Sequence, residues 1–154
     1  MIHNFGTVVP GQFYRGAQPR ECEYVELARR GVTMVIDLCD DDRKDYARVG
    51  AGTAGLLYHS LPMSDRDYPG RYAAAMFIEL ATDPKRQAIF VHCAGGRHRT
   101  GAMTAVYRMK IDGWSLKQAL DELESYFGFW RGLRWIGHGK IKQFVKDYAK
   151  ESAK

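Results

Sequence analysis

Two short runs constrain this chain most: Val32–Leu38 (VTMVIDL), apolar and β-branched, and Ala88–His92 (AIFVH). Short runs of this kind read as buried strands, covered on both faces. Strands of that type need helices packed against them, and helix-like patterns lie between and after the two runs. Strands alternating with helices predict an α/β fold. A length of 154 residues suits one domain, 1–154, with a central, mainly parallel sheet flanked by helices in three layers. A chain of this size buries about two thirds of its unfolded surface.

The remaining pattern fills in around those strands. Thr7–Val9 and Gln12–Arg15 read as short strands about a turn at Pro10-Gly11. Pro19 marks a helix start, and Tyr24, Leu27 and Ala28 keep helical spacing until Gly31. Asp40–Gly52 reads as loop plus a short helix, Leu56–Leu61 as a strand, and Pro62–Pro69 as a loop. Arg71–Thr82 is a helix stopped by Asp83-Pro84. Thr100–Ile111 is a helix ending near Gly113. Ser115 and Gln118 then form a capping box for a helix with the apolar stripe Leu116, Ala119, Leu120, Leu123 and Phe127. A glycine-broken stretch, Gly128–Gly139, precedes a final helix from about Lys140 to Lys150, with Ile141, Phe144, Val145 and Tyr148 on one face. The aromatics Phe129, Trp130 and Trp135 of the glycine-broken stretch read as core packing, with an oligomer contact or a membrane-surface patch as the alternatives.

Composition narrows the class. The net charge of +5 favours anionic ligands without saying which. No motif supports a nucleic-acid partner. No apolar run is long enough for a membrane span. The start, MIHNFGTVVP, lacks a basic segment followed by an apolar one, which predicts a cytoplasmic setting. Three scattered cysteines, Cys22, Cys39 and Cys93, do not form a disulfide scaffold or a zinc-ligand spacing. No metal or cofactor is expected.

The chemistry concentrates in Val91-His92-Cys93-Ala94-Gly95-Gly96-Arg97-His98-Arg99-Thr100-Gly101. A strand runs into a cysteine, a tight loop follows, and a helix then begins. Such a loop aims consecutive backbone N–H groups into one hollow. Gly95 and Gly96 are expected to supply unusual backbone angles and close approach for an anion. Arg99 can grip two phosphate oxygens with its planar fork. Helix dipole, loop amides and Arg99 all favour a Cys93 thiolate. The product is a nucleophile beneath a bound phosphate, with its charge neutralised without a metal.

The segment HCAGGRHRTG resembles the signature loop of the cysteine-dependent protein tyrosine and dual-specificity phosphatases. Phe13–Pro19 (FYRGAQP) and Val35–Leu38 (VIDL) are similar to the N-terminal motif and central strand of small members of that superfamily. The resemblance covers about Phe13 to Gly113 and implies a dual-specificity phosphatase-like fold. It further implies that Cys93 attacks the phosphoryl group, Arg99 holds it, and water releases it from a cysteinyl-phosphate. Thr100 then stabilises the departing thiolate, and His92 tunes the cysteine through the loop backbone.

The leaving oxygen needs a proton. Asp65 and Asp67, between two prolines, are the candidates by residue type. The family pattern, a strand followed by a hydrophobic-Pro pair, favours Asp65 through Leu61-Pro62-Met63-Ser64-Asp65. Cys39 ends the strand Val32–Leu38, and parallel strands bring their C-terminal ends to one edge, near Cys93. Asp37-Leu38-Cys39 also resembles the stretch that carries a backdoor cysteine in the superfamily's 3-phosphoinositide phosphatases. That implies a reversible Cys39–Cys93 disulfide, against the plainer reading of a small buried filler.

Substrate is less constrained. Arg97 and His98 add basic groups at the rim, where they could meet a second anionic group. Relatives acting on phosphoinositides or inositol polyphosphates often carry a lysine at the first of these positions and another basic residue after the cysteine. Here that second position is Ala94. The expected substrate is a phosphorylated protein, with a small phosphorylated anion as the alternative. A catalytically silent phosphate-binding module and a thiol enzyme such as an arsenate reductase or rhodanese are the other classes. The intact cysteine, arginine, acid and Arg-Thr-Gly sequence favours a phosphatase over both.

Overall fold

A computed structural model of the chain describes residues 1–40, 44–64, 69–86, 88–127 and 136–152. Strand β1 (Gly6–Val9) turns at Gly11 into β2 (Phe13–Ala17). Helix α1 (Glu21–Arg29) leads to β3 (Met34–Asp37), then α2 (Lys44–Thr53) and β4 (Leu57–Ser60). Helix α3 (Arg71–Thr82) and a short 3-10 turn precede β5 (Ile89–Cys93), which feeds α4 (His98–Lys110). Helices α5 (Leu116–Ser125) and α6 (Ile136–Ser152) complete the order.

The five strands lie in the order β1-β2-β5-β3-β4. Only the β1–β2 pairing is antiparallel; β2–β5, β5–β3 and β3–β4 are parallel. The predicted mainly parallel sheet is therefore present. β5 sits centrally, and every one of its residues is buried, as its unbroken apolar run requires.

Strand side chains alternate between two cores. Met34, Ile36, Ile89, Val91 and Cys93 face one core, shared with residues of α3, α4, α5 and α6. Val35 and Phe90 face the other, against Tyr24 and Leu27 of α1 and Ala47 and Ala51 of α2. The helices thus form two layers about the sheet, and α4 is buried along most of its length. Gly101 lets α5 come close: a Cβ there would lie 2.2 Å from Leu123 Cδ1.

Most expected elements recur with shifted ends. The stretch read as loop plus short helix is the ten-residue α2. Its Ala47 and Ala51, four apart, bury a narrow face that carries little hydrophobic signal. Helix α4 begins at His98 rather than Thr100, because Arg97 already has helical ψ. The capping box at Ser115 is formed, with Gln118 N–H on Ser115 Oγ and Gln118 Oε1 accepting from Ser115 N–H. Ile141, Phe144 and Val145 of α6 are buried, as their spacing predicts. Phe129, Trp130 and Trp135 lie outside the described residues. Among the described residues, no helix is long and apolar enough to cross a membrane.

Candidate active site

The site forms where β5 ends between its two parallel neighbours. Ala17 of β2 is opposite Cys93, and Asp37 of β3 is opposite His92. The C-terminal edge of a parallel sheet is where α/β folds present a loop and a helix N-terminus to a ligand. Here the loop is residues 94–97 and the helix is α4.

Cys93 is buried. Burial pushes its thiol up, but opposing effects prevail and its pKa falls below the ordinary value. The Thr100 hydroxyl, which makes no other hydrogen bond among the described residues, faces the sulfur, Arg99 adds its charge, and the backbone N–H groups of Thr100 and Gly96 favour the thiolate. Cys93 therefore carries thiolate character in a pocket of converging donors.

Arg99 is 4% exposed, so its orientation is set by protein contacts. Nη1 donates to Asp40 Oδ1 at 2.9 Å and to Met63 O at 3.1 Å, and lies 3.3 Å from Leu38 O. Nε and Nη2 make no hydrogen bond among the described residues. One edge of the guanidinium is thus anchored, and the other keeps donors for an anion.

Loop glycines have unequal roles. Gly96 has φ +66, and a Cβ there would lie 2.3 Å from Ala17 N and from Gly16 C. Both the backbone angle and the close approach to β2 demand glycine. Gly95 differs from expectation: its φ is not positive, and a Cβ would meet nothing within 4 Å.

His92 is fully buried, with its ring stacked on Phe90. Burial lowers its pKa, only partly offset by Asp37, so the imidazole is neutral. Nδ1 lies 3.6 Å from Asp37 Oδ1, too far for a strong hydrogen bond. Asp37 is also fully buried and accepts from the Tyr58 hydroxyl at 2.9 Å and from Cys39 N–H at 2.8 Å. Cys39 is buried, and burial followed by the Asp37 charge raises its pKa. One donor atom each of Asp37, Cys39 and His92 lies within 4.8 Å of the others. Among the described residues these are the side chains grouped closely enough for a metal, but both Asp37 oxygens already accept hydrogen bonds.

Ala94 is half-buried, and its carbonyl accepts from Gln18 N–H at 3.3 Å. Arg97 is half-buried with no side-chain partner among the described residues. The His98 ring packs against Phe127, with centroids 5.1 Å apart. Asp65 and Asp67 lie outside the described residues. The preceding segment is tied to β3 by Leu61 N–H on Asp37 O and Met63 N–H on Leu38 O. Asp37, Asp40, Asn4 and Arg15 were not singled out as site residues from sequence, yet each touches the loop or a residue that shapes it. For Arg15 a signal existed: one charge inside an otherwise buried strand.

Together these groups set a lowered thiol beside two backbone N–H groups and an arginine with free donors. Such a cradle fits a tetrahedral dianion. Comparison with known proteins agrees. Residues 7–132 match the model of a family described as "PTP-NADK: DSP-PTPase phosphatase fused to NAD+ Kinase". The dual specificity protein phosphatase TpbA of Pseudomonas aeruginosa is 29% identical over 111 residues, which are 72% of this chain and 49% of that protein. The inositol diphosphatase SIW14 of Saccharomyces cerevisiae is 27% identical over 128 residues, 80% of this chain and 45% of that protein. This chain thus spans about half the length of these curated relatives. The crystal structure of the SIW14 core catalytic domain superposes with a TM-score of 0.81 at 24% identity, covering 99% of this chain and 89% of that one.

Proposed function

From the chain's membership in the family of DSP-PTPase phosphatases fused to NAD+ kinase, we propose that it is a cysteine-dependent phosphomonoester hydrolase of the tyrosine/dual-specificity type. The observation that carries this reading is the placing of Cys93 at the end of β5, directly before the Gly96 loop and α4, whose Arg99 keeps Nε and Nη2 free of hydrogen bonds among the described residues. In the proposed cycle the Cys93 sulfur attacks phosphorus and the P–O bond to the leaving group breaks. Arg99 Nε and Nη2, with the loop N–H groups of residues 94–98, hold the equatorial oxygens. Water then cleaves the cysteinyl-phosphate to inorganic phosphate, and Thr100 steadies the released thiolate. His92 acts through the backbone it shares with Cys93.

Asp65 is our candidate to protonate the leaving oxygen. Support comes from Met63, two residues upstream, whose carbonyl accepts from Arg99 Nη1. With Asp65→Asn, turnover should fall strongly for an alkyl phosphate and much less for an activated aryl phosphate. Equal activity of variant and parent on both substrates would transfer the role to Asp67. Cys39 is our candidate redox partner of Cys93, supported by its burial beside Asp37 at the same sheet edge.

A phosphorylated protein is the favoured substrate, in keeping with TpbA. A second reading, an inositol diphosphate or polyphosphate, draws on SIW14 and on Arg97, a rim arginine without a side-chain partner among the described residues. Catalytic efficiency on a phosphotyrosine peptide and on a soluble inositol polyphosphate decides between them, with chelator present and Cys93→Ser as control. Preference for the peptide supports the first reading. Preference for the inositol compound, reduced by Arg97→Ala, supports the second. Phosphate release that survives Cys93→Ser would overturn both.

A further inference from the structure

Three consecutive loop carbonyls are held by donors from the first 18 residues. Ala94 O accepts from Gln18 N–H at 3.3 Å, Gly95 O from Asn4 Nδ2 at 2.8 Å, and Gly96 O from Arg15 Nη2 at 2.8 Å. A trans peptide points its N–H opposite to its C=O. Pinning Gly95 O outward therefore turns the Gly96 N–H inward, toward the Cys93 sulfur it faces. Pinning Gly96 O in the same way turns the Arg97 N–H away from Arg15.

Arg15 stands apart from the other two donors. It is fully buried on β2, with its guanidinium carbon 3.7 Å from the centre of the Tyr126 ring. Nε and Nη1 have no hydrogen-bond partner, and no carboxylate forms an ion pair with it among the described residues. The charged or titratable groups that face it are Tyr126 and Glu122 from α5 and its end, Arg108 from α4, and Cys93 from β5. A buried cation without a paired carboxylate is costly. Of the groups that offset this cost, Glu122 is already paired with Arg108, whereas the Cys93 thiolate and, in turn, a bound phosphate belong to the loop that Arg15 holds.

We propose that Arg15 is a positioning residue of the anion cradle, acting from behind the loop through the Gly96 carbonyl and through a charge that no direct ion pair holds among the described residues. Arg99 grips the anion from one side; Arg15 fixes the donors that line the other and adds a second positive charge beneath the sulfur. The inference rests on the phosphatase reading of the loop, but its readouts include anion binding and thiol titration as well as turnover.

The test compares the full chain with Arg15→Met and Arg15→Lys. Inorganic phosphate is the probe, by its inhibition constant against p-nitrophenyl phosphate and by its protection of Cys93 from iodoacetate. The pH midpoint of Cys93 alkylation is read in parallel. The other groups facing Cys93 are Arg99 and Thr100 from α4, Gly96 from the loop and Cys39 from the segment just after β3, and all are unchanged in these variants. Arg15→Met should weaken phosphate binding about ten-fold or more and move the alkylation midpoint to higher pH. Arg15→Lys keeps the charge but loses the fork, so the midpoint should return toward the parent while phosphate binding stays weak. A folded Arg15→Met protein with parental phosphate affinity and midpoint would overturn the proposal. Should Arg15→Met not fold, Arg15→Lys decides: parental phosphate affinity overturns the proposal, and weakened affinity supports it. A parent that binds phosphate yet turns over no phosphomonoester would sink the phosphatase reading alone. If the parent does neither, the alkylation midpoint decides on Arg15.

Discussion

Arg99 Nη1 lies 2.9 Å from Asp40 Oδ1, an ion pair between a nearly buried guanidinium and a carboxylate 39% exposed. The pair anchors the arginine on the edge that does not face the loop. Because Met63 O also accepts from the same nitrogen, Asp40→Asn should not release the side chain. Its exposure limits its worth to that of a surface pair. The expected result is a fall in kcat/KM on p-nitrophenyl phosphate of about two- to five-fold, carried by KM. A hundred-fold loss would mean that Asp40 has a chemical role beyond anchoring.

The sulfur of Cys93 is lowered against its own burial by Thr100, Arg99 and loop N–H groups. Alkylation by iodoacetate should therefore set in below the ordinary thiol range near 8.5. Thr100→Ala removes the hydroxyl that faces the sulfur and should move the midpoint to higher pH. The stability consequence has a definite sign. A depressed acid contributes stability fully above its unfolded pKa and loses it as pH falls through the folded one. Thr100→Ala should thus cost most above the ordinary thiol pKa and less in acid, as read by denaturant unfolding at two pH values. A midpoint unchanged in Thr100→Ala would remove the hydroxyl from the account.

The two loop glycines should respond oppositely. Gly96→Ala places a Cβ at φ +66 and 2.3 Å from the β2 backbone. Strain and clash together should cost more than about 2 kcal/mol and abolish phosphate binding. Gly95→Ala meets open space and ordinary φ, so stability should stay within about 0.5 kcal/mol. Thermal unfolding of both variants checks this; equal destabilisation would contradict the geometry.

Dilute peroxide should oxidise the Cys93 thiolate to a sulfenic acid. The Cys39 thiol then attacks that sulfur, water leaves, and a disulfide forms. The Cys39 pKa is raised by burial and by Asp37, so capture should accelerate with pH. Peptide mass spectrometry should show a Cys39–Cys93 crosslink that thiol reductant reverses together with activity. Free Cys39 beside sulfinic Cys93 would rule the pairing out.

Sequence reading reached the sheet because β3 and β5 are unbroken apolar runs, and it reached Cys93, Arg99 and Thr100 because strand, loop and helix start are contiguous. It separated neither Gly95 from Gly96 nor their jobs, since residue type does not reveal φ. It missed what acts at long range: Arg15 meets Gly96 across 81 positions, Asn4 meets Gly95 across 91, and Asp40 meets Arg99 across 59. Each of these contacts is set by strand order, and two of them end on a backbone carbonyl, which has no identity in a sequence.

Rapid-quench mixing of the chain with p-nitrophenyl phosphate tests the central claim most directly. A burst of one p-nitrophenol per active chain, with a phosphoryl group on the Cys93 peptide and no burst in Cys93→Ser, is the predicted result. Turnover without a burst or adduct, persisting in Cys93→Ser, would contradict the account.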